Sequence, residues 1–247
     1  MGVGDWIMAT SQVRAINEQT GKLVAVVDLR GRIRWAEGIF NNNPRLAAAR
    51  TARTAILLNS GGARPYIAGQ SATRWQWRLW DIAPGELFFD AAERRRIDAT
   101  KSAAVLIEPN TKVEGSNKAW LWDRWQAVAH SGVADFVQVG PPGTRALDGV
   151  RFIETPTFRQ ALLVLAACRG YVGTEGGLHH AAAALRVPAV VLWSHFIAPQ
   201  FTGYATHTNI RHSETYCGLR VPCLECRASM AAITVDEVIN AIKEIDR

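Results

Sequence analysis

Tyr171-Val-Gly-Thr-Glu-Gly-Gly-Leu-His-His-Ala-Ala-Ala-Ala-Leu-Arg-Val-Pro-Ala-Val-Val-Leu-Trp193 reads as strand, glycine turn, short helix and second strand. Leu178, Ala181, Ala182 and Leu185 recur at i, i+3, i+4 and i+7 and give one apolar helix face. Val187 to Trp193 is a bounded apolar run with β-branched residues, as a buried strand requires. The unit is therefore βαβ, and its helix begins at Gly176 and Gly177. Without side chains there, backbone N–H groups and the positive end of the helix dipole face whatever lies above the sheet edge. An anion, most simply a phosphate, suits that position. A bare Gly-Gly can also be no more than a tight strand-to-helix turn, so the neighbours decide.

Those neighbours are polar. Glu175 precedes the glycines and His179 and His180 follow them, at the carboxyl edge of a sheet where open α/β folds bind ligands. Gly-Thr-Glu-Gly-Gly-Leu-His-His-Ala-Ala-Ala followed by Val-Pro-Ala-Val-Val-Leu resembles the nucleotide-sugar signature of the heptosyltransferase-like glycosyltransferases. The aspartate usual in that family is replaced by Thr174, and the acid stands one place later, at Glu175.

A second motif lies at the start of the chain. Gly4-Asp5-Trp-Ile-Met-Ala-Thr10 opens a helix, and an acid near a helix start is also a natural cap. The segment is similar to the Gly-Asp loop of the same family, where the aspartate is the catalytic base; the resemblance thus assigns that role to Asp5. The family sets a hydrophobic strand before this loop, whereas this sequence begins at the loop, so the first sheet is expected to lack that strand or to be built differently. A third likeness covers the polar loop after Ala103-Ala-Val-Leu-Ile-Glu108, together with the Lys118-x-Trp120 that follows. By resemblance Lys118 approaches the donor phosphates, with Asn110 and Thr111 in support. Glu175, Gly176, Gly177, Leu178 and His179 complete the donor set that the resemblance implies.

Composition sets the outer limits. A chain of 247 residues, 48% of them hydrophobic, can bury a large core. Mean hydropathy is near zero and no apolar run reaches the roughly 18 residues of a membrane span, so a soluble, cytoplasmic protein without a signal peptide is expected. The net charge of +6 is uneven, because residues 1–100 carry 14 Lys and Arg against 9 Asp and Glu. That excess suits an anionic partner. Arg74-Trp-Gln-Trp-Arg-Leu-Trp80 interleaves base and aromatic, and Arg34, Arg74, Trp77 and Arg78 are the candidate acceptor contacts; an amphipathic edge strand reads equally well. Cys217-x5-Cys223-x2-Cys226, with His207 and His212 upstream, contains one Cys-x-x-Cys hook where zinc sites usually show two, so packing or redox sensitivity is preferred and no metal or other cofactor is expected.

Strand and helix alternate with short loops throughout, which requires a parallel sheet. The pattern restarts near Asp98 to Ser102. The resemblance implies a compact GT-B-like α/β fold: an acceptor-side domain over 1–100 and a nucleotide-sugar-binding domain over 101–247, two Rossmann-like units facing a cleft. It implies a metal-independent inverting glycosyltransferase acting on an anionic saccharide such as lipopolysaccharide core. Two alternatives are a transferase acting on hydroxymethylated bases of DNA and a non-catalytic nucleotide-sugar-binding module. The sequence leaves the oligomeric state open.

Overall fold

The structure is a computed structural model that describes residues 2–112 and 116–246, so the middle of the polar loop after Glu108 lies outside the described residues. The first helix, α1 (Val3–Thr20), stops at Gly21, whose φ of 66° is left-handed and whose N–H donates to the Asn17 carbonyl. Strand β1 (Val24–Val27) is wholly buried and pairs in parallel with β2 (Ala55–Leu58), whose Ile56 and Leu58 face outward. An antiparallel hairpin of β3 (Ile67–Gln70) and β4 (Trp75–Trp77) follows, then α2 (Ala91–Ala99).

The second half alternates strand and helix as expected, except that β7 follows β6 directly and the segment after β9, read as a loop, holds a short helix: β5 (Ser102–Glu108), α3 (Trp122–His130), β6 (Phe136–Gly140), β7 (Arg151–Glu154), α4 (Phe158–Ala167), β8 (Cys168–Thr174), α5 (Gly177–Leu185), β9 (Ala189–Trp193), α6 (Pro199–Thr202) and β10 (Thr208–Arg211). Two helices close the chain, α7 (Leu224–Ala232) and α8 (Val235–Lys243). Thr234 and Glu237 form the expected capping box at the start of α8.

The six strands form one parallel sheet in the order β10-β9-β8-β5-β6-β7. The chain runs outward from β5 through β6 and β7, returns to β8 beside β5, and then runs outward the other way. The order thus reverses between β5 and β8, and at such a switch point the loops leaving the two carboxyl ends diverge and open a crevice. Those loops carry Pro109-Asn110-Thr111 and Glu175-Gly176.

Successive residues of β5 serve opposite faces. Val105 and Ile107 pack with Trp125, Val128, Met230, Val238 and Ile242 beneath α3, α7 and α8. Leu106 joins the other cluster, with Leu162 and Leu165 of α4 and Ala181 and Ala182 of α5. That cluster continues without a break into Ile7 and Val13 of α1, Val24 and Val26 of β1, and Phe40. The first half differs from the expected second Rossmann-like sheet. Its parallel sheet has two strands among the described residues, and its apolar side chains are shared with the larger sheet's helices.

Candidate active site

Two helix starts meet above the switch point, and glycines make the meeting possible. A Cβ on Gly177 would lie 2.5 Å from Val3 Cγ2 and 3.3 Å from the Phe158 ring. A Cβ on Gly4 would lie 2.5 Å from Cδ2 of His180. The first turns of α1 and α5 therefore pack in direct contact, which brings Asp5 into the same crevice as Glu175, 170 residues later in the chain. The crevice is about 820 Å³ and is lined from both halves of the molecule, within the roughly 300–1,000 Å³ usual for ligand sites.

The two helix starts are chemically unlike. Gly176, the residue before α5, is extended with φ 178°, and no side chain caps the helix, so its first-turn N–H groups, which have no intrahelical partners, face the cleft. Elsewhere Asp90, Thr157 and Thr234 cap α2, α4 and α8. The start of α1 already holds an anion: Asp5 Oδ2 accepts from the Gly2 N–H at 2.9 Å. Asp5 is thus the third helical residue rather than the residue that precedes the helix. Its carboxylate also accepts from Arg64 Nη1 at 2.9 Å and from the Tyr66 hydroxyl. Burial, then the Asp5 charge, push the Tyr66 phenol well above its ordinary value, so it stays protonated and donating.

Glu175 is paired on two sides. Lys118 Nζ donates to Oε2, and His180 Nε2 lies 3.5 Å from Oε1. Burial opposes its charge, but the Lys118 ammonium and the His180 contact outweigh it and hold the carboxyl well below the usual range. His180 is fixed from behind by Tyr204, whose hydroxyl is 2.9 Å from Nδ1. A cation seated on the Glu175, His179 and His180 side chains, whose ligand atoms lie within 4.8 Å of one another, would have to displace Lys118.

The walls add aromatic surface and one further acid. Tyr66 and Trp75 stack against Trp77, and Phe196 meets its edge at 5.3 Å between centroids. The Trp77 indole N–H donates to the Phe196 carbonyl at 3.1 Å, tying the hairpin to the loop after β9. At the end of β5, Glu108 accepts from the Tyr171 hydroxyl, and burial, offset in part by that bond, pushes its carboxyl up to about 7.

Of the residues singled out from sequence, Asp5, Asn110, Thr111, Lys118, Glu175, Gly176, Gly177, Leu178 and Trp77 all line this crevice. His179 does not. It is fully buried beneath the site against Trp193, Tyr204 and His207, neither ring nitrogen has a hydrogen-bond partner, and burial pushes it well below its ordinary value. Its neighbour His180 lines the cleft instead. Arg34, Arg74 and Arg78 stand outside the lining. Arg34 lies 4.0 Å from Asp28, Arg74 is exposed at the hairpin turn, and the Arg78 guanidinium donates to the Pro65 carbonyl at 3.0 Å. Arg64, Tyr66, Glu108 and Phe196 are site residues that sequence reasoning did not select. Arg64 and Tyr66 reach Asp5 across 59 and 61 positions, and no local pattern announces such a pairing.

No protein-family model matches the sequence, and no curated protein matches it. Solved structures do. The glycosyl transferase family 9 protein from Veillonella parvula aligns over 99% of this chain and 94% of its own, with a TM-score of 0.66 at 11% identity. The bacterial iron-containing dodecameric glycosyltransferase TibC from enterotoxigenic E. coli aligns over 100% of this chain and 74% of its own, with a TM-score of 0.63 at 14% identity. ADP-heptose lps heptosyltransferase II of E. coli aligns over 65% of this chain at 21% identity with a TM-score of 0.49, and the chain spans 53% of that protein's length. At these identities the likeness is one of architecture, and the architecture is the GT-B type of the heptosyltransferase-like glycosyltransferases.

Proposed function

We propose that this chain is an inverting glycosyltransferase that moves a sugar from a nucleoside diphosphate donor to a hydroxyl of an anionic saccharide, with no metal ion taking part in the cleft. One observation carries the reading: an aspartate held in fixed orientation and an uncapped helix start beside a lysine share one crevice at the switch point of a GT-B-type fold. The glycosyltransferase names of both full-length fold neighbours agree with it.

The chemistry follows from these groups. The donor diphosphate lies on the first-turn N–H groups of α5, with Lys118 at its flank. As the bond from the anomeric carbon to the phosphate oxygen breaks, its electron pair goes to that oxygen, and the dipoles and the ammonium stabilise the charge that develops. The acceptor hydroxyl forms the new bond from the opposite face, which inverts the centre. Its proton passes to Asp5, which Arg64 and Tyr66 keep in one rotamer. Glu175 holds Lys118 in place, and the aromatic wall of Trp75 and Tyr66 suits the apolar face of a sugar ring. A nucleic-acid acceptor is the weaker reading, because Arg74 and Arg78 lie outside the cleft and the Trp77 ring is packed between other side chains.

The test is to incubate the protein as purified with a panel of nucleoside diphosphate sugars and lipid-linked core saccharides, and to follow both released nucleoside diphosphate and transferred sugar. Transfer with an inverted anomeric centre, not raised by added Mg²⁺ or Mn²⁺, is expected. Donor binding without turnover under all acceptors would make the chain a binding module, and retention of configuration would remove Asp5 from the role of base.

A further inference from the structure

Outside the cleft, three of the four cysteines converge. Cys217 comes to the Cys223-x-x-Cys226 pair through a turn at Gly218, whose φ is 64°, and the pair itself sits at the start of α7. The three sulfur atoms lie within 4.8 Å of one another, and Cys217 Sγ is 3.5 Å from Cys226 Sγ. A tetrahedral ion with metal–sulfur bonds of about 2.3 Å spaces its sulfurs about 3.8 Å apart, which is close to the spacing of these three. The geometry points to a metal site: Cys217, Cys223 and Cys226 bind a single thiolate-preferring transition-metal ion, zinc or ferrous iron, that clamps the segment bracing the walls of the cleft from behind.

Three further features fit the assignment. The Leu219 N–H points at Cys217 Sγ at 3.4 Å, the kind of outer contact that steadies a metal-bound thiolate. Cys223 is the residue before α7 and Cys226 lies in its first turn, so the helix start holds both sulfurs on one side of the loop. The exposed Glu225 carboxylate accepts from the Cys223 thiol at 3.0 Å and puts an oxygen donor beside the cluster. A disulfide would join two of the sulfurs and leave the third without a role.

The location explains why an ion would be useful there. The segment from Tyr216 to Leu224 has little apolar anchorage of its own, with Tyr216, Val221 and Leu224 all exposed. Yet it links three walls of the site. Cys217 and Gly218 donate backbone bonds to His195 and Phe196, Trp75 of the hairpin donates to Gly218, and Arg220 donates to Thr73. Asn117, next to Lys118, donates to Leu219 and Val221 and accepts from Cys223. A cross-link at the sulfurs fixes all of these at once, and its binding free energy becomes stability of the folded loop.

The experiment is elemental analysis by inductively coupled plasma mass spectrometry on untagged protein purified without chelator. A single zinc or iron ion per chain is expected, replaceable by Co²⁺ with thiolate-to-cobalt charge-transfer absorption. Cys226→Ser should lose both signals, and Cys168→Ser, which alters the half-buried cysteine at the start of β8, should keep them. A second measurement uses the folded wild type: a mercurial that titrates the thiols should release the ion to a chromophoric chelator in step with modification. Metal-free protein with three titratable thiols, a mass two hydrogens low from a disulfide, or equal metal content in wild type and Cys226→Ser would each overturn the assignment.

Discussion

The starts of α1 and α5 touch, and a glycine precedes each, yet one is closed and the other open. At α1 the chain supplies its own anion, since Asp5 accepts from the Gly2 N–H and is held by Arg64 and Tyr66. At α5 the third helical residue is the buried His179 and the residue before the helix is Gly176, so no side chain caps the N–H groups. With glycine as the residue before the helix, the missing side-chain cap costs only about a few tenths of a kcal/mol. On the proposed function, the contrast separates two partners: the anion missing at α5 is the ligand's, and the one built into α1 is the protein's reagent.

Removing the reagent should give the largest effect. Asp5→Asn keeps an acceptor for the Gly2 N–H but cannot take a proton, so steady-state kcat should fall roughly 10²–10⁴-fold with donor Kd, by calorimetry, little changed. Equal losses in both would mean that the carboxylate serves packing alone. Closing the open end comes next. Gly176 is extended, and a Cβ there would meet only the Thr174 carbonyl, at 3.7 Å, so Gly176→Asp fits without strain and puts an anion at the start of α5. Donor affinity should drop by about two orders of magnitude through like-charge repulsion with the diphosphate, while thermal stability holds or rises by a few tenths of a kcal/mol. Unchanged affinity would show that the donor phosphates lie elsewhere. Separating the two helices should have a smaller effect: Gly4→Ala drives a methyl into His180 and should destabilise by about 1–3 kcal/mol in urea titration.

The smallest effect belongs to a third carboxyl that has no cation paired with it among the described residues. Glu108 is raised from its ordinary 4.5 to about 7 by burial, so the folded protein binds its proton more tightly than the unfolded chain does. Its contribution is complete below pH 4.5 and is lost as pH rises to about 7, since only the folded state still holds the proton in that window. Because the side chain is half-buried, the loss is on the order of 1–2 kcal/mol. Urea midpoints measured across that range should fall more steeply in the wild type than in Glu108→Gln.

What the sequence disclosed follows the range over which its signals act. The βαβ unit is local, and its stripe of Leu178, Ala181, Ala182 and Leu185, its glycines and its strand all sit where periodicity placed them. The choice between His179 and His180 was not local. Both are buried helix residues, and contact with Gly4 of α1 decides which one faces the cleft. The Asp5 clamp likewise depends on a chain crossing that leaves no trace in spacing. The basic, aromatic stretch Arg74–Trp80 divides in the fold, since Trp75 and Trp77 turn inward to the cleft wall while Arg74 and Arg78 stay outside.

The apolar cluster that runs without interruption from α1 and β1 into α4 and α5 sets how the molecule comes apart and how it admits ligands. Two bodies joined by a hinge melt in two stages and breathe by swinging; side chains packed across the divide couple the halves into one cooperative unit. Calorimetric and van't Hoff enthalpies of unfolding should therefore agree. Substrates would enter through movement of the loops above the sheet rather than by rotation of lobes, and turnover would be timed by those local openings.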